Sequence, residues 1–279
     1  MLKSLTKLLQ PTKNEGEPLP PAADRPKEVN QILEEQLDES LKGFQRSNTG
    51  LFISALAAGM EIGFSVLFMG TIFTMFGGSL SPAALKLCLA LCYPIGFIFV
   101  IIGRSDLFTE HTALAVLPVL NKSVKVRDLL MLWGLIYSGN LLGGYLFALL
   151  LSKVGPEVGF VDPVAFEHLA HELVHHDWTT ILWSALLAGW MMGLLGWLVT
   201  SSQETISRIV VIILVTAIIG AAGLHHCVVG SIEVFTGVIT SDKISFLDYL
   251  KFQSWATIGN ALGGTVFVAL LKFSHVRST

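Results

Sequence analysis

The sequence predicts an all-α membrane protein of six transmembrane helices, built as an inverted repeat with the second and fifth helices broken. Three observations predict it. The 279 residues are 52% hydrophobic and only 14% charged, whereas a soluble domain carries about 25% charged residues. Apolar runs long enough to cross a bilayer recur six times, and two of them are too long for one helix and carry polar residues near the middle. Short stretches of the first half also return, in the same order, in the second.

Taken in order, residues 1–26 hold six prolines or glycines among polar residues, a composition that buries no core, and they read as a disordered tail. No apolar stretch precedes the first span, so no cleaved signal peptide is expected. Over 27–46 the apolar positions Val29, Ile32, Leu33, Leu37, Leu41 and Phe44 recur at helical spacing with acids between them, which predicts an amphipathic helix packed on its own protein. Spans follow at 51–76, 82–120 with a break, 129–152, 180–200, 207–240 with a break, and 247–272. They group into a first three-helix unit over 51–152, an extracytoplasmic connection over 153–179, and a second, inverted unit over 180–273.

Charge sets the expected orientation. Thirteen lysines and arginines belong to one side, four (Lys86, Lys153, Lys243, Lys251) to the other, and Arg104 falls at a break. Both termini are therefore expected in the cytoplasm of a plasma membrane of the bacterial or archaeal inner-membrane type. A formal net charge of −3 with dispersed basic residues excludes a nucleic-acid partner. Cys88, Cys92 and Cys227 all lie in apolar segments and read as packing residues.

The repeat has two anchors. Ser54-Ala55-Leu56-Ala57-Ala58-Gly59 returns as Ser184-Ala185-Leu186-Leu187-Ala188-Gly189, and Gly139-Asn140-Leu141-Leu142-Gly143-Gly144 returns as Gly259-Asn260-Ala261-Leu262-Gly263-Gly264. Between them, Asp106-Leu107-Phe108-Thr109 pairs with Glu233-Val234-Phe235-Thr236. With three spans per half, the second unit enters from the opposite side, and its broken helix meets the first near the midplane, where a transport site forms.

Ionisable residues at that depth point to function, since a charged type costs roughly 2.5 to 3.5 kcal/mol there on insertion scales. The second break carries His225, His226 and Glu233, and glycines at 220, 223, 230 and 237 free the backbone. Neighbouring helical residues point about a hundred degrees apart, so one histidine faces the passage. His226 is assigned that place, and its titration range suits proton exchange with a weak acid; His225 is assigned to the interior. At the first break, Asp106 is expected to accept from freed backbone N–H groups and Thr109 to present its hydroxyl. Arg104 is expected either to pair with Glu61 or Glu233 or to attract a substrate. Phe97, with Ile98 and Phe99, and Ile219 are expected to form apolar constrictions, with Phe108 capping the loop. Asp106, Glu233, Glu61, Asn140 and Asn260 are assigned structural roles at the breaks.

Residues 168–176 contain His171-Glu172 and His175 in the spacing of a zinc-protease helix. No glycine-spaced third histidine follows, although His168 and Asp177 stand nearby. The expectation is a vestibule-lining helix whose histidines sense pH; no catalytic residue, metal or cofactor is assigned.

These residues resemble the formate/nitrite transporter family. The resemblance is carried by Asp106-Leu107-Phe108-Thr109, by Gly223-Leu224-His225-His226 and by the paired Gly-Asn motifs at 139 and 259, over about 30–273. It implies an aquaporin-like six-helix fold, a homopentamer with one pore per subunit, a pore histidine matching His226 and a neighbouring threonine matching Thr109. The chain departs from the family pattern where Leu173 replaces a vestibule lysine, His225 a glutamate and Gly230 an asparagine. The resulting expectation is passage of a small monovalent weak-acid anion, such as formate or nitrite, through the lipid bilayer, linked to pH at His226, with Arg104 in place of the missing lysine. A neutral small-solute channel, a membrane zinc hydrolase using His171, Glu172 and His175, and a receptor with a degenerate pore are the alternatives.

Overall fold

The computed structural model describes residues 26–278, and its regular elements are all helices. The tail expected over 1–26 lies outside the described residues but for Pro26. Helix α1 (Val29–Gln45) buries Ile32, Leu33, Gln36, Ser40 and Gly43 along one stripe. It rests on the end of the bundle, where Lys27 donates to the Thr200 carbonyl at 2.7 Å and Gln36 to the Thr200 hydroxyl at 3.4 Å.

Helix α2 (Asn48–Phe76) is capped by Ser47, whose hydroxyl accepts from the Gly50 N–H. Its 29 residues extend about 43 Å at 1.5 Å per residue, more than the roughly 30 Å of bilayer hydrocarbon. Helices α3 (Pro82–Cys92) and α4 (Pro94–Gly103) form one apolar path. After a gap come α5 (Phe108–Leu114) and α6 (Leu117–Leu120), then α7 (Val126–Val158). Helix α8 (Pro163–Val174) leads to α9 (Trp178–Ser201) and α10 (Thr205–Ala222). A second gap precedes α11 (Val229–Thr240). Helix α12 (Phe246–Gly264), opened by a reciprocal Ser245 and Asp248 cap, runs through a π segment (Thr265–Leu270) into α13 (Leu271–Ser278).

Among the described residues five helical paths are long and apolar enough to cross a membrane: α2, α3 with α4, α7, α9 and α10. The predicted span at 247–272 falls on α12, the π segment and the start of α13.

Two helix pairs carry the architecture, α2 with α7 and α9 with α12. Each pair closes on glycine. A Cβ on Gly59 would strike the Asn140 carbonyl and one on Gly143 the Leu56 carbonyl; a Cβ on Gly189 would strike the Asn260 carbonyl and one on Gly263 the Leu186 carbonyl. Small residues of this kind let helix backbones approach and gain dispersion where lipid supplies no hydrophobic drive. The remaining helices fix the two ends. Helix α1 lies at the Asn48 end of α2, and α8 at the Phe76 end, where the Thr74 hydroxyl accepts from the Asp162 N–H at 2.8 Å.

Candidate pore site at two helix breaks

At the first break α4 ends on Arg104 in the left-handed region (φ 61°), and at the second α10 ends on Gly223 (φ 64°). Freed backbone groups inside a bilayer need partners from the protein. Asn140 supplies them at the first break: its amide donates to the Ala55 and Asp106 carbonyls at 2.7 and 2.8 Å, and its oxygen accepts from the Phe108 N–H at 2.7 Å. Asn260 does the same at the second, with the Ala185 and His225 carbonyls at 2.7 and 3.0 Å and the Cys227 N–H at 2.8 Å. The Ser54 hydroxyl accepts from the Asp106 N–H, and the Ser184 hydroxyl from the His225 N–H, both at 3.2 Å.

These contacts correct the pairing read from the sequence. Asp106 corresponds to His225 and Phe108 to Cys227, so the 106–109 stretch is not the counterpart of 233–236. Phe235 lies within α11 against Tyr145 and Tyr249, whereas Phe108 opens α5. The Asp106 carboxylate also differs from expectation. It accepts from Arg46 at 2.5 Å and faces the His111 Nε2 at 3.1 Å, while Asn140 takes the freed backbone N–H.

His226 and Thr109, from opposite breaks, meet in the buried interior. The His226 Nε2 lies 2.9 Å from the Thr109 hydroxyl. Its Nδ1 accepts from the Val228 and Val229 N–H groups, both at 3.3 Å, at the start of α11. With Nδ1 an acceptor, the ring proton is assigned to Nε2, which donates to Thr109 and leaves the threonine's own hydroxyl proton free. The edge of Phe97 meets the His226 ring at 5.3 Å, and Tyr93 stacks on Phe97 at 5.4 Å. Ile219 and Phe97 are both wholly buried. His225 turns away from this cluster: its Nδ1 meets the Ser184 hydroxyl at 2.8 Å and its Nε2 donates to the Leu173 carbonyl at 3.0 Å.

Other predicted residues fall elsewhere. The Phe108 ring packs on Trp133 and Tyr137 of α7. Phe99 is 46% exposed and meets Phe64 at 5.6 Å, so it is not part of a constriction with Phe97. Arg104 is exposed and lines a cavity of about 660 Å³ under α1, together with Arg46, Asp106, Glu110 and His111. Among the described residues no carboxylate lies within 4.0 Å of it, so it pairs with neither Glu61 nor Glu233. This cavity is at the α1 end, whereas Leu173 packs beside Gly230 near the α8 end, so Arg104 does not stand where the family's vestibule lysine is replaced. One Glu61 oxygen is sealed without a hydrogen-bond partner, and Glu233 is 7% exposed.

Three supports were not read from the sequence. Arg46 and His111 hold Asp106, and Gln253 donates to the Cys227 carbonyl at 3.0 Å and to the Tyr137 hydroxyl at 2.7 Å. Ser54 and Ser184 carried a signal, since each opens one copy of the first repeat anchor.

On α8 the His171 and His175 rings stack at 5.2 Å, with the His175 Nδ1 2.8 Å from the His171 carbonyl. His176 follows, 3.8 Å from His175 and 5.5 Å from His225 between ring centres, and its carbonyl accepts from Lys251 at 2.6 Å. Among the described residues no three histidine, cysteine or carboxylate side chains gather with the geometry of a metal site. His168 stacks on Phe73 of α2 at 4.4 Å. Burial lowers the proton affinity of His168, against the opposing charge of Glu172, and burial and then His175 lower that of His176. Asp177, which caps α9, is held down to about 2 by the Thr179 and Thr180 side chains.

Comparison with known proteins covers nearly the whole bundle. The sequence model of a family described as Formate/nitrite transporter matches residues 30–274. The inner membrane protein YfdC of Escherichia coli (strain K12) is 30% identical over 256 residues, covering 91% of this chain and 80% of that protein. The formate channel FocA of the same organism is 26% identical over 240 residues, covering 78% and 84%. A solved pentameric formate channel with formate bound has a TM-score of 0.74 at 22% identity, covering 83% of this chain and 98% of that one.

Proposed function

This chain belongs to the formate/nitrite transporter family, and from that premise we propose that it passes small monovalent weak-acid anions, formate or nitrite or a close relative, across an inner membrane. The contact between the His226 Nε2 and the Thr109 hydroxyl at 2.9 Å carries the reading, because it joins the two helix breaks at a buried point bordered by Phe97. FocA, named a formate channel, supports the substrate class. The solved formate channel is a pentamer, which favours a homopentamer here. The organisation that goes with this reading is two inverted three-helix units, 51–152 and 180–273, joined through 153–179, with both termini in the cytoplasm.

Physical chemistry supplies the mechanism. Phe97 and Ile219 border a passage in which an isolated anion pays a large desolvation cost, far above that of the neutral acid. The Thr109 hydroxyl, already accepting from His226, retains a proton for a permeant oxygen. Protonating the imidazole requires a proton at Nδ1, where the Val228 and Val229 amides point, so the charge state of His226 is tied to the backbone that opens α11. Proton sharing at this pair lets the permeant cross as the neutral acid, and passage becomes linked to pH.

The test is flux into proteoliposomes across a range of outer pH, with formate, nitrite, hydrosulfide, lactate and acetate as the panel. Formate and nitrite are expected to pass, and His226→Asn to change the pH profile strongly. An unaltered profile in that variant would remove His226 from the mechanism, and no flux of any of the five would remove the transport reading.

A further inference from the structure

Glu233 is a carboxyl group within the bundle that the mechanism above does not use. It is 7% exposed, and among the described residues nothing donates a hydrogen bond to it and no charged group stands beside it. Buried carboxyl groups are ordinarily paired, so a bare one needs a reason. Its oxygens are also not among the side-chain atoms sealed off without a partner, unlike one oxygen of Glu61.

Helix α11 packs against α8, α7, α12 and α2. Gly230 lies against Phe252 and Leu173, and Gly237 against Ala170 of α8; Ile232 meets Gly144 of α7; Phe235 packs on Tyr145 and Tyr249. Glu233 lies within electrostatic reach of Tyr93, at the junction of α3 and α4. Tyr93 stacks on Phe97, and Phe97 meets His226 edge-on. Several other titratable groups on elements packed against α11 are engaged elsewhere. On α8, Glu167 binds Ser241 and Lys243, and His168 stacks on Phe73. Tyr145 of α7 and Tyr249 of α12 share a hydroxyl contact, and Lys251 donates to the His176 carbonyl. Glu61 stands on α2.

We infer that Glu233 is a second proton-exchanging residue of the passage, which binds the weak-acid permeant on the α8 side of His226 and loads it with a proton. The inference rests on the transport reading above. The step balances as follows: the Glu233 O–H bond breaks, its proton goes to the permeant carboxylate to form the neutral acid, and the Glu233 carboxylate is reprotonated from water on the same side. A bare carboxylate on the approach repels an anion, so the residue passes anions only by exchanging protons with them. One proton therefore accompanies each permeant.

The experiment compares Glu233→Gln and Glu233→Asp with the parent in proteoliposomes, using formate uptake against outer pH. At near-neutral outer pH, Glu233→Gln is expected to slow uptake about a hundredfold or more, the low end for loss of a positioned acid. Its rate should approach the parent's once the outer medium is acid enough to hold abundant formic acid. Glu233→Asp, which keeps the carboxyl group, should retain the parent's profile. A parent-like profile in Glu233→Gln, or an equal loss at every pH, overturns the assignment; should Glu233→Gln fail to assemble, a flattened profile in Glu233→Asp overturns it. If the parent itself moves no formate, the transport reading falls first, and that result is distinct from any of these.

Discussion

Asn140 and Asn260 each close a gap that the helix ladder leaves open, and each does so with one side chain making three hydrogen bonds. Replacing either with alanine strands a buried N–H and a buried carbonyl, at about 1 to 3 kcal/mol for each unsatisfied group. Asn140→Ala and Asn260→Ala should therefore lower stability by roughly 2 to 6 kcal/mol and by similar amounts, read as thermal unfolding of the purified protein in detergent. A large loss in one and none in the other would mean that the two breaks are not equivalent. These asparagines were legible in the sequence because the Gly-Asn motif recurs. The ion pair between Arg46 and Asp106 was not, since the partners lie 60 positions apart and an ion pair leaves no periodic trace. Thr109 and His226 were both visible as residues; their 2.9 Å contact needed the fold.

Helix α8 is held on α2 partly by the stack of His168 on Phe73. Burial lowers the folded-state proton affinity of this imidazole from the ordinary 6.5, so below that pH the unfolded chain binds more protons than the folded one. Its contribution is thus present above pH 6.5 and lost as the pH falls below it. Hydrogen exchange across 163–174 should quicken on acidification, and His168→Leu, which keeps an apolar contact and cannot titrate, should flatten that response. Persistence of the acid response in the variant would locate the switch elsewhere on the helix. At this scale the breaks themselves were legible, because lipid makes polar residues within a long apolar run conspicuous. The register of the repeat was not. Arg104 and Gly223 adopt the same left-handed turn with unlike side chains, while the resemblance of 106–109 to 233–236 links a helix start to a helix interior. Conformation repeats there and residue type does not.

Across the whole molecule, the two halves repeat one plan of glycine-packed helix pair, serine-held break and asparagine bridge, and the charges outside them distinguish the two ends. The α1 end gathers Lys27, Lys42, Arg46, Arg208 and Lys272 around the helix and its cavity, whereas Lys243 and Lys251 bind Glu167 and the His176 carbonyl at the α8 end. The sequence count of thirteen basic residues against four supports the proposal that the richer side is cytoplasmic. The proposal that both termini are cytoplasmic can be tested with single cysteines in a background in which Cys88, Cys92 and Cys227 are replaced. Ser79→Cys lies between α2 and α3, and Ser123→Cys between α6 and α7, both exposed. A membrane-impermeant maleimide should label Ser79→Cys in intact cells and Ser123→Cys only after lysis. The reverse pattern would invert the protein in the membrane, turning the cavity under α1 outward and moving Glu233 to the cytoplasmic side of His226. Proton loading by that residue would then accompany export of the acid, so this labelling result fixes the direction in which the conduit draws protons.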